Sequence, residues 1–301
     1  MWQGKILGMI AAAALSVSVL PAPAKASPAP GKASPAAPVV DIRADDDGFT
    51  APSSHTSGPT SFRVTTTATG DLGSIIGLVR LRPGATPASF ADHLGKVFSN
   101  DPRVAVPAGR ALMAEAELLG GAESQPGRPT TFTTTLRQGT YYLLNYLDFE
   151  TETPAGPEAL HTLTVKRERH VGRAPKPGAV VGMSHTAAGP RFQLPSRIRA
   201  GAPLLVTNHM NQVNEAIFVP VRPGTTERDL QKFFDGVQNG QWSEPPFAGA
   251  PLGTPPLSPG RALVLQTPLT PGRYAVITWV IDLTDGVRLG AKGMYSLITV
   301  E

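Results

Sequence analysis

Three features of this sequence predict two tandem all-β domains, each interrupted by a short helix. The first is a repeated phrase: residues 78–87 read LVRLRPGATP and residues 218–227 read FVPVRPGTTE, each an apolar strand, then Arg-Pro-Gly, then threonine. The second is another repeated phrase, LRQGTYYLLNYLDF at 136–149 against LTPGRYAVITWVIDL at 269–283. It sets Gly139 over Gly272 and Tyr141 over Tyr274. The third is composition: 31 Pro and 31 Gly among 301 residues, with many Thr and Val, mark short strands joined by turns.

Two further landmarks keep the same order in both halves. FTAP at 49–52 matches FQLP at 192–195, and each half ends on a strand, HTLTV at 161–165 and YSLITV at 295–300. Ordered recurrence of this kind is the mark of a duplicated domain. The boundaries follow as residues 39–168 for the first domain and 178–301 for the second, with a linker at 169–177. The surrounding stretch KRERHVGRAPKPG, at 166–178, is basic and Pro/Gly-bearing, as a solvated linker would be.

The N-terminus reads as a leader. Lys5 precedes an apolar run from Ile6 to Leu20, and Ala24-Lys25-Ala26 supplies a small-x-small cleavage signal. The run is short for a membrane span, so residues 1–26 read as a signal peptide cut after Ala26, which places the mature protein outside the cytoplasm. Residues 27–38, SPAPGKASPAAP, lack bulky apolar groups and read as a Pro/Ala/Ser-rich tether. The chain has no cysteine, so core burial rather than disulfides must hold the fold. Lys5 and Lys25 lie in the leader, which leaves 25 of the 27 basic residues against 23 acidic ones. So balanced a charge argues against a dedicated nucleic-acid binder, and no other apolar run is long enough to span a membrane.

Strand character is visible where Phe62 and Val64 alternate with polar neighbours. The near-continuous apolar runs 141–146 and 274–281 read as strands buried between two sheets. One helix is expected after each Arg-Pro-Gly. In the first, Thr86 is a candidate N-cap, Pro87 takes the first helical position, and Phe90, Leu94 and Val97 form a core stripe. In the second, Thr226 and Asp229 make a capping-box-like pair, and Leu230, Phe233, Phe234 and Val237 form the stripe.

These motifs together resemble the cupredoxin-like β-sandwich, in particular the bacterial exported cupredoxin-like domains that carry a strand, x-Pro-Gly, short-helix insertion. The resemblance covers both halves and implies two tandem Greek-key sandwiches. In copper-binding members a histidine opens the strand before x-Pro-Gly, a cysteine ends the Gly-x-Tyr strand, and a histidine and a methionine follow. Carried over position by position, the first histidine falls on Ser74 and on Asn214, which Glu215 follows. The cysteine falls on Asn145 and Thr278. The loop histidine has no counterpart near Pro157 and Glu158 or near Leu289 and Gly290. The methionine falls near Leu160 and is kept as Met294. A blue-copper centre needs a thiolate, and this sequence has none. Both copies are therefore expected to keep the scaffold and to have lost the ligands.

Other chemistry is weaker. Met183, His185, His209, Met210 and Met294 all lie in the second half, and His209, Met210 and Met294 are an alternative soft-metal set suited to Cu(I). Residues 182–186, GMSHT, begin like a nucleophile elbow but lack its final glycine. Asp45, Asp46 and Asp47 before Gly48 lack the bidentate glutamate of a calcium loop. Asp148, Glu150 and Glu152 do not read as an acid/base pair. Residues 238–260 read as a long Pro-rich end loop whose Trp242 and Phe247 are candidate partner-binding residues. Its counterpart, 99–128, is expected to hold a short helix in ALMAEAELLGG. The expectation is an exported, non-enzymatic interaction or structural module without cofactor, meeting an extracellular protein or cell-envelope polymer. Its alternative is a copper-handling protein with a non-blue Met/His site in the second domain.

Overall fold

The computed structural model describes residues 35–301 except Trp242, so the predicted signal peptide and most of the tether lie outside the described residues. The first half contributes β1 (Val39–Asp45), β2 (Gly48–Thr50), β3 (Ser54–Thr66), β4 (Ser74–Leu81), α1 (Pro87–Val97), α2 (Pro102–Glu115), β5 (Ala116–Ser124), β6 (Thr130–Leu136), β7 (Gly139–Asn145) and β8 (His161–Arg169). The second contributes β9 (Ala179–Thr186), β10 (Gly189–Gln193), β11 (Arg197–Ile198), β12 (Leu204–Asn208), β13 (Asn214–Pro220), α3 (Glu227–Gln238), β14 (Leu252–Leu257), β15 (Ala262–Gln266), β16 (Gly272–Ile277) and β17 (Ser296–Val300).

The strands form two facing sheets, and both run through the two halves. One has the order β2-β1-β3-β6-β15-β12-β9-β10. The other runs β3-β8-β7-β4-β5-β14-β13-β16-β17-β11, with β3 shared between the sheets. Each order is palindromic about one antiparallel pair, β6–β15 in the first sheet and β5–β14 in the second. A single apolar core between the sheets accordingly contains Phe62, Phe132 and Leu143 from the first half with Leu204, Phe218 and Leu263 from the second. Phe62 and Phe132 stack with ring centroids 4.9 Å apart beside the β6–β15 pair.

The repeated phrases are turn and corner devices. Pro83 and Pro223 fix the second residue of a tight turn, Gly84 (φ 91°) and Gly224 (φ 81°) take the left-handed third position, and Ala85 and Thr225 donate back to the carbonyls of Arg82 and Arg222. The turn delivers Thr86 and Thr226 as N-caps, closed into capping boxes by Ser89 and Asp229. Tyr141 lies across its own corner, its hydroxyl bonded to the N–H and C=O of Arg137, and Tyr274 repeats this with the N–H of Thr270.

Several expectations are corrected. β7 and β16 are buried on both faces, but their outer cover is a helix layer rather than a second sheet: α1 and α2 pack on the first half and α3 on the second. The stretch ALMAEAELLGG splits, with its front closing α2 and its back becoming β5. The Pro-rich loop 238–260 likewise holds β14, a central strand that contains Pro255 and Pro256. Prolines have no N–H and are normally confined to sheet edges. Here the side chains of Thr254 and Ser258 accept from Gly121 N and Leu118 N of β5, replacing ladder bonds the prolines weaken. Pro35–Pro38 of the tether and the start of the linker are tied down together. Arg173 N donates to Pro35 O, Ala37 N donates to Arg173 O, and His170 bonds Thr56 Oγ1 at 2.8 Å and Pro59 O at 2.7 Å.

Because both sheets cross the junction, urea unfolding followed by circular dichroism is expected to show one transition for the two halves. Phe132→Ala should shift that whole transition, by about 3–5 kcal/mol. Two separated transitions, with only one moved by the substitution, would refute a shared core.

Candidate functional site

Of the positions that the cupredoxin resemblance equates with ligands, the second-half set converges. Asn214 opens β13, Thr278 follows β16, and Met294 precedes β17; all three are fully buried. The Asn214 amide nitrogen lies 3.1 Å from Met294 Sδ and 3.0 Å from Met210 Sδ, donating to both. Its carbonyl accepts from Thr278 Oγ1 at 2.8 Å and from Glu215 N at 2.9 Å. Met210 is placed by a buried Asn208, which accepts from Met210 N and donates to the carbonyls of Gln212 and Leu257. His209 is exposed, so only two of the three alternative soft-metal residues meet. Ser184 and His185 are successive strand residues on opposite faces of β9, which separates the pair of the apparent nucleophile elbow.

The first half closes the equivalent space differently. Buried Ser74 bonds Thr66 through its hydroxyl at 2.7 Å. Asn145 accepts from Ile75 N and Leu147 N, and Leu160 packs with the helix-side apolar cluster. Neither half offers a thiolate or a converging imidazole, and in the second both thioether sulfurs already accept from an amide. These donors do not fit the copper centre that the cupredoxin resemblance would imply. Among the described residues no three His, Asp or Glu side chains sit at metal-holding spacing.

A second cluster, absent from the sequence reading, lies on the helix side of the junction. Glu123 of β5 pairs with Gly253 of β14 and Ile75 of β4, and its side chain is 2% exposed with Oε2 unpartnered. Glu215, at a bulge of β13, accepts from Trp279 N at 2.6 Å. The Tyr146 ring occupies the space a Cβ of Gly77 would fill, and the Tyr146 hydroxyl is buried without a partner. Burial pushes the Glu215 carboxyl up to about 7. Burial first, then repulsion from Glu215 and Glu150, raises Glu123 well above the usual carboxylate range. Glu150 and Asp148 at the rim are also raised by burial, with Arg288 opposing the shift at Glu150. The one sequence signal for this cluster is a glutamate inside the apolar run VNEAIFVP.

Of the candidate partner-binding residues, Trp242 lies outside the described residues. Phe247 is half-buried, bridges to Val221 and packs edge-on to Phe233 at 5.3 Å, so it fastens the Pro-rich loop to α3. Beside it runs an open groove of about 470 Å³ lined by residues including Arg222, Lys232, Phe233, Glu244 and Pro246. No helix among the described residues is long and apolar enough to cross a membrane.

No family model and no curated protein matches this sequence. Among solved structures, the chain is similar to dithionite-reduced auracyanin from the photosynthetic bacterium Roseiflexus castenholzii, at 15% identity and TM-score 0.26, over 40% of this chain and 94% of that one. A multicopper oxidase aligns at 11% identity and TM-score 0.22, over 87% of this chain and 88% of that one. The copper-containing nitrite reductase of Thermus scotoductus SA-01 aligns at 13% identity and TM-score 0.24, over 87% of this chain and 61% of that one. Likeness at this level assigns no ligand and no activity to this chain.

Asn214→Ala leaves the Thr278 hydroxyl without its acceptor and opens a space between the sulfurs, so a loss of about 1–3 kcal/mol is expected in urea titration. Glu215 gives a pH dependence of defined sign. A carboxyl raised in the folded state favours folding below its unfolded value, and that contribution is lost as pH rises from about 4.5 through about 7. Glu215→Gln should therefore gain up to about 3 kcal/mol over the parent at pH 8 and little at pH 4, read from paired denaturation curves.

Proposed function

We propose that this chain is an exported, non-enzymatic binding module built on two metal-free cupredoxin-like sandwiches. The carrying observation is the Asn214 amide, which uses both of its N–H groups on Met210 and Met294 and its oxygen on Thr278 and Glu215. A former ligand space filled in this way is a packed core element. The continuous sheets make a rigid frame, and rigid frames present binding loops. The loop between α3 and β14 is the best-placed presenter: its sequence includes Trp242, Phe247 anchors it and the α3 groove runs beside it. The leader sequence at 1–26 supports export, and a cell-envelope polymer or exported protein is the corresponding class of partner.

A second reading retains copper handling, because two thioethers face one amide and thioethers suit Cu(I). Calorimetric titration of residues 27–301 with Cu(I) and Cu(II) separates the two. The binding-module reading expects no saturable uptake, together with co-sedimentation on isolated cell-wall polymer that Trp242→Ala removes without changing the melting temperature. One-to-one Cu(I) binding at micromolar affinity or tighter, lost in Met210→Leu with Met294→Leu, would replace it with the second reading.

A further inference from the structure

A cleft of about 390 Å³ opens between β10, the start of α3 and the loop that enters β17. Its size falls in the range of small-molecule sites, about 300–1,000 Å³. Arg191 and Glu227 both line it. Neither joins an ion pair among the described residues. The third charged lining residue, Lys292, is already engaged: its Nζ lies 2.6 Å from Asp282 Oδ2 and 2.7 Å from Asp285 Oδ2. The cleft therefore offers one open cation and one open anion.

Arg191 is seated rather than loose. Its Nη1 donates to Pro190 O at 2.7 Å and to Lys292 O at 2.8 Å. A Cβ on Gly293 would come within 3.1 Å of the guanidinium, so the glycine makes room for it. With Nη1 engaged, Nε and Nη2 remain, an edge of the guanidinium fork that matches the two oxygens of a carboxylate. The adjoining wall is also fixed: the Tyr295 hydroxyl donates to Gln231 Oε1, and Gln231 Nε2 donates to Ala291 O, each at 2.8 Å. Burial and then Glu227 raise the Tyr295 hydroxyl, and Arg191 opposes them, so both charges act on one spot. The duplication shows that neither charge is needed to build the fold. Gly48 precedes FTAP where Arg191 precedes FQLP, and Pro87 follows Thr86 where Glu227 follows Thr226. The first half forms the same hairpin and the same capping box without them.

We propose that this cleft binds a zwitterion of amino-acid or dipeptide size, with its carboxylate on Arg191 and its ammonium on Glu227. A dianion would set its second charge against Glu227, and a neutral ligand would desolvate both side chains without pairing either. The site uses no residue of the loop between α3 and β14, and it does not depend on the reading of that loop.

Titration of nitrogen-15-labelled protein (residues 27–301) with alanyl-alanine and with alanine, at constant ionic strength, tests it through amide chemical shifts. Saturable shifts are expected at 191, 227–231 and 291–296, and the tighter of the two ligands tells a dipeptide site from a free amino-acid site. Acetylating the amine of the bound ligand, or amidating its carboxyl, should each weaken binding about tenfold or more, because one charge-assisted pair is lost. Glu227→Gln should abolish the preference for the free amine and keep that for the free carboxylate; Arg191→Gln should do the reverse. Glu227 is exposed, so its variant carries the test if Arg191→Gln loosens the loop. The absence of saturable shifts with either ligand at tens of millimolar would overturn the site. So would equal binding of the free, acetylated and amidated forms, shifts confined to other surfaces, or a preference for the free amine unchanged in Glu227→Gln.

Discussion

Two antiparallel strand pairs, β6–β15 and β5–β14, are what the rest of the molecule depends on. Each is the centre of one palindromic sheet. Together they turn two sandwiches into one frame with a common core. The price of placing β14 at the centre is its pair of prolines, and the hydroxyls of Thr254 and Ser258 restore what the ladder loses. The Arg261–Glu117 ion pair and the bond from Arg128 to Pro268 O add polar stitches at the same seam. Such a junction fixes the geometry between halves in a way that a flexible linker does not.

The frame explains why the ends of both halves are filled rather than open. An end cavity in a sandwich costs packing and leaves polar groups unsatisfied. The first half buries a Ser74–Thr66 hydroxyl pair there, the second an amide between two thioethers. Duplication kept the devices that build the sandwich, namely the Arg-Pro-Gly turn, the capping box and the tyrosine corner. It let the side chains of the end diverge. The same divergence set Glu215 where the first half has Ile75, and so brought a second carboxyl to the seam beside Glu123.

Local rules were legible along the chain because they act over a few residues. Thr86 and Thr226 as caps, the stripe of α3 and the duplication itself rest on periodicity and turn chemistry, and the structure bears them out. Asn214, Thr278 and Met294, positions that the cupredoxin resemblance singled out, lie together in one buried hydrogen-bonded group. β5 and β14 were not legible. One is small-residue-rich and follows a helix without a break; the other carries prolines that argue against a central strand. Missing them hid the seam and with it the Glu123 and Tyr146 contribution to the buried cluster.

The sequence by itself determined the strand-rich class, the repeat, the helix caps and the absence of any thiolate, since each is a matter of composition or short-range pattern. Only the tertiary structure decided that the halves share both sheets, that Phe247 faces α3, that two sulfurs meet one amide, and that carboxyls from two halves meet in the dark of one junction. Those outcomes depend on which strands pair across more than a hundred residues of chain, and no local spacing encodes that pairing.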